Sequence, residues 1–460
     1  MSDDLLHWFR ISIPEATVES TDGNWQKVSM EISWTDRRSY FRISATHDPR
    51  RSMKTLALSL LLVSSTLATD WPQWRGPEQN NHAPTDAKPV TEWSAEKNVR
   101  WKTPLPGRGH STPIFVGNKI YLTTGDQQKG TQSLLSLDRK TGKILWKKII
   151  HTGGYPEHLH KENSSASQTA QWDGTNILVV FENDQKIKVT AVSPSGKVVW
   201  SKTAGEYQPS YQFGYGSTPV LYKDSLIVVV GTKKGGLITS LKTKDGGKNW
   251  TIPRKGHDYW ATPVITNVAG KEQLLISGIS KFSSYAPDTG KLNWETEAGA
   301  KSMCGSIVWH DDMIFASGGF PEKQTAGVKA DGSGKVVWKN TIVCYEQSLL
   351  SHKGLIYAIA DDGRAHCWDA KTGEKKWSEK IGRRGVMASP LAVGDHIYAS
   401  LKNGTTVVFK ASGNRFQKIS ENELGDDIYA TPVALDDELF LRVGKVDKGD
   451  RQEFLYCLGK

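Results

Sequence analysis

Three histidines within ten positions, His151, His158 and His160, are the densest set of metal-type ligands in the chain, and Glu157 and Glu162 lie among them. Imidazole combined with carboxylate suits Zn²⁺ or Cu²⁺. On a strand, His158 and His160 would share one face. The H-x6-H-x-H spacing matches no defined metal pattern, so a polar loop that satisfies its own backbone is the competing reading.

A second set is aromatic and basic: His110, Tyr215, His257, Tyr259, Trp260, Arg383 and Arg384. Each lies shortly before a Ser/Thr/Ala-Thr/Ser-Pro phrase, such as Ser217-Thr218-Pro219 or Ala261-Thr262-Pro263. Gathered in one place they would line a cationic, aromatic pocket for a peptide, sugar or anion. Packing that closes a channel is the alternative. No G-x-S-x-G, phosphate-loop or H-E-x-x-H phrase offers hydrolytic or nucleotide chemistry.

A repeat must position these residues. Trp101, Trp146, Trp200, Trp250, Trp294, Trp338 and Trp377 recur 39 to 54 residues apart, with Phe416 as an aromatic stand-in one step later. All but Trp101 end a turn phrase, clearest in Asp138-Arg139-Lys140-Thr141-Gly142-Lys143-Ile144-Leu145-Trp146. Asp and Thr favour turn starts and Gly accepts the positive φ of a tight bulged hairpin. The segments before the phrase alternate apolar and polar, as strands do. A period of this length marks a four-stranded propeller blade. Eight marked aromatic positions and eight openings predict an all-β, eight-bladed propeller over residues 90–460. The tryptophans would sit on outer strands as packing residues.

The last unit lacks a fourth strand and Trp101 lacks a first, so the segment around Trp101 is expected to complete the last blade and close the ring. The loops before the opening strands would then surround one end of the central channel, placing the second residue set at its mouth.

Residues 53–68 read as a secretory signal: Lys54, an apolar run too short to span a bilayer, and small residues at Thr66 and Ala68. Met53 is the expected start, with residues 1–52 an upstream misreading of the gene or, alternatively, a functional extension. Residues 69–89 form a lead-in. These features predict a periplasmic or secreted protein with no transmembrane segment after signal cleavage and, absent a Cys at the cleavage site, no lipid anchor. Cys304, Cys344, Cys367 and Cys457 fall in separate units, so one disulfide is possible but its pairing is open. Residues 1–68 hold equal numbers of basic and acidic side chains, so the net charge of +10 belongs to the remainder. The lysines are dispersed, which predicts a solvated surface rather than a nucleic-acid partner.

The turn phrase resembles the PQQ-like (pyrroloquinoline-quinone-like) propeller repeat. The resemblance extends beyond the repeat: Asp70-Trp71-Pro72-Gln73-Trp74-Arg75-Gly76-Pro77, the run Asn98–Pro113 and Lys161-Glu162-Asn163-Ser164-Ser165-Ala166-Ser167 are similar to segments of exported bacterial PQQ-like propeller proteins. The resemblance implies an exported eight-bladed propeller, related by fold to BamB-type scaffolds and to quinoprotein alcohol dehydrogenases. The dehydrogenases use PQQ with calcium, often under a lid of two adjacent cysteines; this chain has no Cys-Cys pair. The expectation is a non-catalytic binding or scaffold module: no cofactor is expected, the partner is an envelope protein or small ligand, and the protein is monomeric. The alternatives are a PQQ-dependent oxidoreductase, or a polysaccharide or anion binder at the channel mouth.

Overall fold

The computed structural model describes residues 17–20, 26–32 and 41–47, and everything from Asp70 onward except 157–158, 210, 212, 234 and 256–258. The chain forms two compact units, Met1–Leu67 and Ala68–Lys460. In the first, the strands Thr17–Ser20, Gln26–Ile32 and Phe41–His47 make an antiparallel sheet.

The second unit is an eight-bladed propeller. Its described residues form eight four-stranded antiparallel sheets, spanning 114–152, 171–206, 220–254, 264–297, 308–340, 350–380, 391–423 and 433–458. The eighth holds three strands from the C-terminal segment and takes its fourth, Val99–Leu105, from the other end. Tyr456 pairs with Lys102 and Cys457 with Trp101. No sheet edge is left for the ring to open along.

Burial follows strand position. Ser225–Val230 and Met313–Gly318, second strands of their blades, are buried at every position. Fourth strands alternate with solvent, as in Ile144–Thr152. Sheet therefore packs on sheet around the ring, with apolar side chains between successive blades. The four cysteines are free thiols.

The Trp phrase is the joint between blades. Trp101 Nε1 donates to the Arg139 carbonyl of the first blade's turn at 3.0 Å. Trp146 donates to Pro194 at 3.3 Å, Trp200 to Thr243 at 2.8 Å, Trp338 to Ala370 at 2.9 Å and Trp377 to Ser412 at 2.7 Å. Each acceptor lies in the turn phrase of the following blade. Trp250 lies against Gly290 of the next turn. Trp294 departs from the pattern: its Nε1 donates to Gln273 Oε1 of its own blade at 2.9 Å, and Thr296 meets Gly334 instead. Phe416, with no N–H to donate, packs on Phe409 and Trp377.

The opening phrases form a second girdle, around the channel. The backbone N–H of Thr112 donates to Thr169 Oγ1, Thr169 to Thr218 and Thr218 to Thr262, at 2.9–3.2 Å. Ser306 donates to Ser348 Oγ, Ser348 to Ser389 and Ser389 to Thr431, at 3.0–3.2 Å. Ser306 Oγ donates to the Thr262 carbonyl at 2.7 Å and links the two arcs. Each hydroxyl thus satisfies a buried N–H of the preceding blade, which explains why the phrase keeps Ser or Thr at this position.

Candidate functional site at the channel mouth

The inner strands run the same way in all blades, so one end of the channel is built from the loops that precede them. The lead-in crosses the channel on the other side. Trp71 exchanges two backbone hydrogen bonds of 2.9 Å with Phe115, and Pro72 accepts from the Trp172 N–H. Gln79 Oε1 accepts from the Ile265 N–H at 3.1 Å, and Ala83 donates to Ala392 at 2.8 Å. These contacts tie the segment to inner strands of the first, second, fourth and seventh blades. Arg75, buried and held at a φ of 66°, gives Nη2 to the Leu349 carbonyl of the sixth blade at 3.3 Å and Nε to Gln79 at 3.1 Å. Its guanidinium lies 5.7 Å from the Trp74 ring. Trp74 is thereby held as the floor of a cavity of about 270 Å³ that opens at the mouth.

One wall of the cavity is aromatic. Trp260 and Phe213 meet edge to face at 6.0 Å, with Tyr211 6.3 Å from Trp260 and His160 5.1 Å from Phe213. Trp260 Nε1 donates to the Gly214 carbonyl at 3.2 Å, which fixes the indole. Phe213 and Tyr211 remain about two-fifths exposed.

A second wall stacks His110 flat on Tyr429, centroids 4.1 Å apart and planes 2° from parallel. Arg108, Arg451 and Lys402 lie 5.5, 5.9 and 6.0 Å from the Tyr429 ring. Burial, then Arg108, Arg442 and Arg451, holds His110 well below the usual imidazole range, so it is neutral. Tyr429 donates to Glu162 Oε2 at 3.1 Å, and Lys402 pairs with the same carboxylate. Burial opposes the Glu162 charge, but these two donors prevail and its carboxyl sits below its ordinary value.

Behind His110 is a buried ion pair: Arg442 Nη2 meets Glu453 Oε2 at 2.7 Å. Arg442 Nη1 also donates to the Thr123 carbonyl and to Ser111 Oγ, and Glu453 accepts from the Gly109 N–H. Arg451 bridges Glu453 and Asp427.

The third wall carries Cys304, Tyr345 and Glu346. Solvent reaches Glu346 through the mouth, yet the surrounding walls desolvate it. That desolvation, then the Asp361 charge, pushes its carboxyl up to about 7. Asp361 is raised by burial too, although Gln347 Nε2 and the Tyr345 N–H donate to it at 3.0 and 3.1 Å. Burial likewise pushes the Cys304 thiol up, so it is not a thiolate nucleophile.

The residues singled out by sequence divide. His110 and Trp260 line the cavity. Tyr215 and Tyr259 are buried between blades: the Tyr215 hydroxyl donates to the Val229 carbonyl at 2.8 Å, and Arg254 lies 4.1 Å over Tyr259. Arg383 and Arg384 are exposed and do not line the cavity. Its charged lining is Glu162 and Glu346, so the pocket is not cationic as expected. His257 lies outside the described residues. So does His158 of the proposed metal cluster. His151 packs edge-on against Phe181, held by burial down to about 4, whereas His160 faces Phe213. Among the described residues no three His, Cys, Asp or Glu side chains are placed to share a metal ion.

Sequence reasoning missed Trp74, Phe213, Glu346 and Tyr429 as lining residues. Phe213 and Tyr429 do precede opening phrases, which was the available signal; Glu346 lies in an opening too degenerate to align.

A quinone with calcium needs carboxylate and amide oxygens converging on one ion. Among the described residues no three His, Cys, Asp or Glu side chains converge there, Glu162 is engaged by Lys402 and Tyr429, Asn163 Oδ1 is taken up by the Ser164 N–H and Ser167 Oγ, and Glu346 holds its proton up to near neutrality. These residues do not fit the group, and no reaction step is derived through it.

The family model described as "Outer membrane protein assembly factor BamB" matches residues 79–212 and 212–379. The chain is 21% identical to the outer membrane protein assembly factor BamB of Moranella endobia (strain PCIT) over 350 residues, 72% of this chain and 81% of that one. It is 23% identical to the quinoprotein ethanol dehydrogenase of Pseudomonas putida over 229 residues, 46% of this chain but only 34% of that enzyme's length. BamB from Moraxella catarrhalis superposes with a TM-score of 0.55 at 12% identity, covering 78% of this chain and 99% of its own. A europium-containing methanol dehydrogenase superposes with a TM-score of 0.60 at 11% identity, covering 86% and 99%. At these identities the structural likenesses speak for the fold alone. The chain belongs to the PQQ-like propeller family, the one whose model is described as outer membrane protein assembly factor BamB.

Proposed function

We propose that this protein is an exported, non-catalytic binding module whose channel mouth receives a segment of an envelope protein. One observation carries the reading: the cavity is lined by Trp74 of the chain's own lead-in and by Phe213 at a mouth whose aromatic rings are about two-fifths exposed. Exposed aromatic clusters on a rigid frame serve binding, and 270 Å³ suits a side chain or two of an extended segment rather than a large cofactor. The family description favours a scaffold in outer-membrane assembly. On this reading residues 53–68 direct export from a start at Met53, the mature protein acts as a monomer without cofactor, and residues 1–52 are absent from it. N-terminal sequencing of the exported protein tests that part: a mature chain containing residues 1–52 would overturn it.

The site itself is tested by placing a photo-crosslinking residue at Tyr211 in the native organism. A discrete adduct with an envelope protein is expected, and Trp260→Ala should remove it with the fold intact.

The dehydrogenase likenesses favour a second reading, a quinone-dependent oxidoreductase. Mixing the purified protein with PQQ and Ca²⁺ separates the two. Quinone absorbance with dye-linked alcohol oxidation would replace the binding account.

A further inference from the structure

We propose that the channel mouth selects an organic cation, a lysine ammonium or arginine guanidinium on an extended peptide, held between the Trp260 and Phe213 rings and the Glu346 carboxylate. The inference rests on the reading that the mouth binds a partner, and it supplies the chemistry of what enters.

The cavity's charged lining is acidic. Glu346 and Glu162 both face it, while the exposed arginines Arg383 and Arg384 lie outside the lining. The two carboxylates are not equivalent. Glu162 already has Lys402 and the Tyr429 hydroxyl. Glu346 has no ion-pair partner among the described residues, and the charges felt there are Asp361 and Glu162 against the single opposing Lys402. An incoming cation would supply the missing counter-charge.

Two further features suit a cation rather than a neutral group. The Trp260 and Phe213 rings present aromatic surface, and a cation over an aromatic face gains about 0.5–2 kcal/mol depending on desolvation. His110, also in the lining, is neutral and so adds no positive charge to repel a cation. The apolar lining between these points suits the methylene stem that carries such a head group. Of the cations near this wall, Arg442 and Arg451 are engaged by Glu453 and Asp427, while Arg108 gives Nη1 to the Lys161 carbonyl and lies outside the cavity lining.

Binding also becomes pH-dependent. Glu346 takes up its charge around neutrality, faced by Asp361, Glu162, Lys402, Tyr345 and Cys304. The site therefore gains affinity for a cation as the pH rises from 6 to 8.

Titration calorimetry on the full mature protein with acetyl-Gly-Gly-Arg-Gly-Gly-amide, and with its norleucine and glutamate counterparts, tests this. The arginine peptide is expected to bind at least tenfold more tightly than either counterpart, more tightly at pH 8 than at pH 6. Glu346→Gln should remove both the preference and the pH dependence, while Glu162→Gln should leave most of the preference. Equal binding of the norleucine peptide, or an unchanged preference in Glu346→Gln, would overturn the inference. The crosslink at Tyr211 separates the two levels: an adduct without cation preference leaves the binding module standing and removes only its selectivity.

Discussion

The indole of Trp101 lies over Gly142, where a methyl group would collide with the ring, and its Nε1 donates to Arg139 three residues earlier. Trp101 belongs to the strand that closes the ring, so this contact fastens the last blade to the first. The same packing of an indole over a turn glycine joins Trp146 to Gly196, Trp200 to Gly246, Trp250 to Gly290 and Trp338 to Gly373. The turn phrase needs Gly for two reasons, a φ of 70° at Gly142 and the close approach of an aromatic face.

Gly142→Ala should therefore destabilise the propeller by about 2–3 kcal/mol, combining left-handed strain with displacement of the indole. Chemical denaturation measures it. Lys143→Ala, one residue on and exposed, should change stability by less than about 0.5 kcal/mol.

Arg442 and Glu453 are almost wholly buried, and Arg442 holds the backbone on which His110 rides. Arg442→Met leaves the buried Glu453 carboxylate with Arg451 and the Gly109 N–H alone and should cost about 3 kcal/mol; changing both residues to methionine should recover part of that loss. Equilibrium unfolding of the single and double variants gives the comparison.

Much of this was legible in the sequence. The turn phrases specified the blades because each is a local hairpin with its own glycine, and Trp101 without a phrase pointed to ring closure. The mouth was legible only in part. Tyr215 and Tyr259 precede opening strands as Trp260 does, but their rings turn into the blade interfaces, and sequence spacing does not set that direction. Arg383 and Arg384 were placed by position alone, whereas Glu346 became visible only once the fold brought it beside Asp361. The lead-in's role was hidden for a different reason: Trp74 and Arg75 act through contacts with distant blades, so no local pattern marks them.

Arg75 pins the lead-in through the Gln79, Asn80 and Leu349 carbonyls. Arg75→Ala should speed amide hydrogen exchange across residues 71–83 while leaving second strands such as Ser225–Val230 protected. Unchanged exchange in the lead-in would show that its backbone bonds to Phe115 and Ala392 suffice.

Glu346 gives a stability signature. Its folded value of about 7 lies above the ordinary carboxyl value of 4.5, so the unfolded chain releases this proton first. Stability falls as pH rises between those values and stays lowered above 7. Because solvent also reaches this side chain, the effect is muted: Glu346→Gln should raise Tm slightly at pH 8 and have little effect at pH 4.5. Thermal scans at the two pH values read the difference.

The central claim is that the channel mouth, rather than the outer rim of the ring, is where this protein meets its partner. Photo-crosslinking from Phe213 and from Leu145, both exposed but on the mouth and on an outer strand respectively, tests it most directly. A discrete envelope-protein adduct from position 213 and none from position 145 is the expected result. Adducts from position 145 alone, or equally from both, would contradict it.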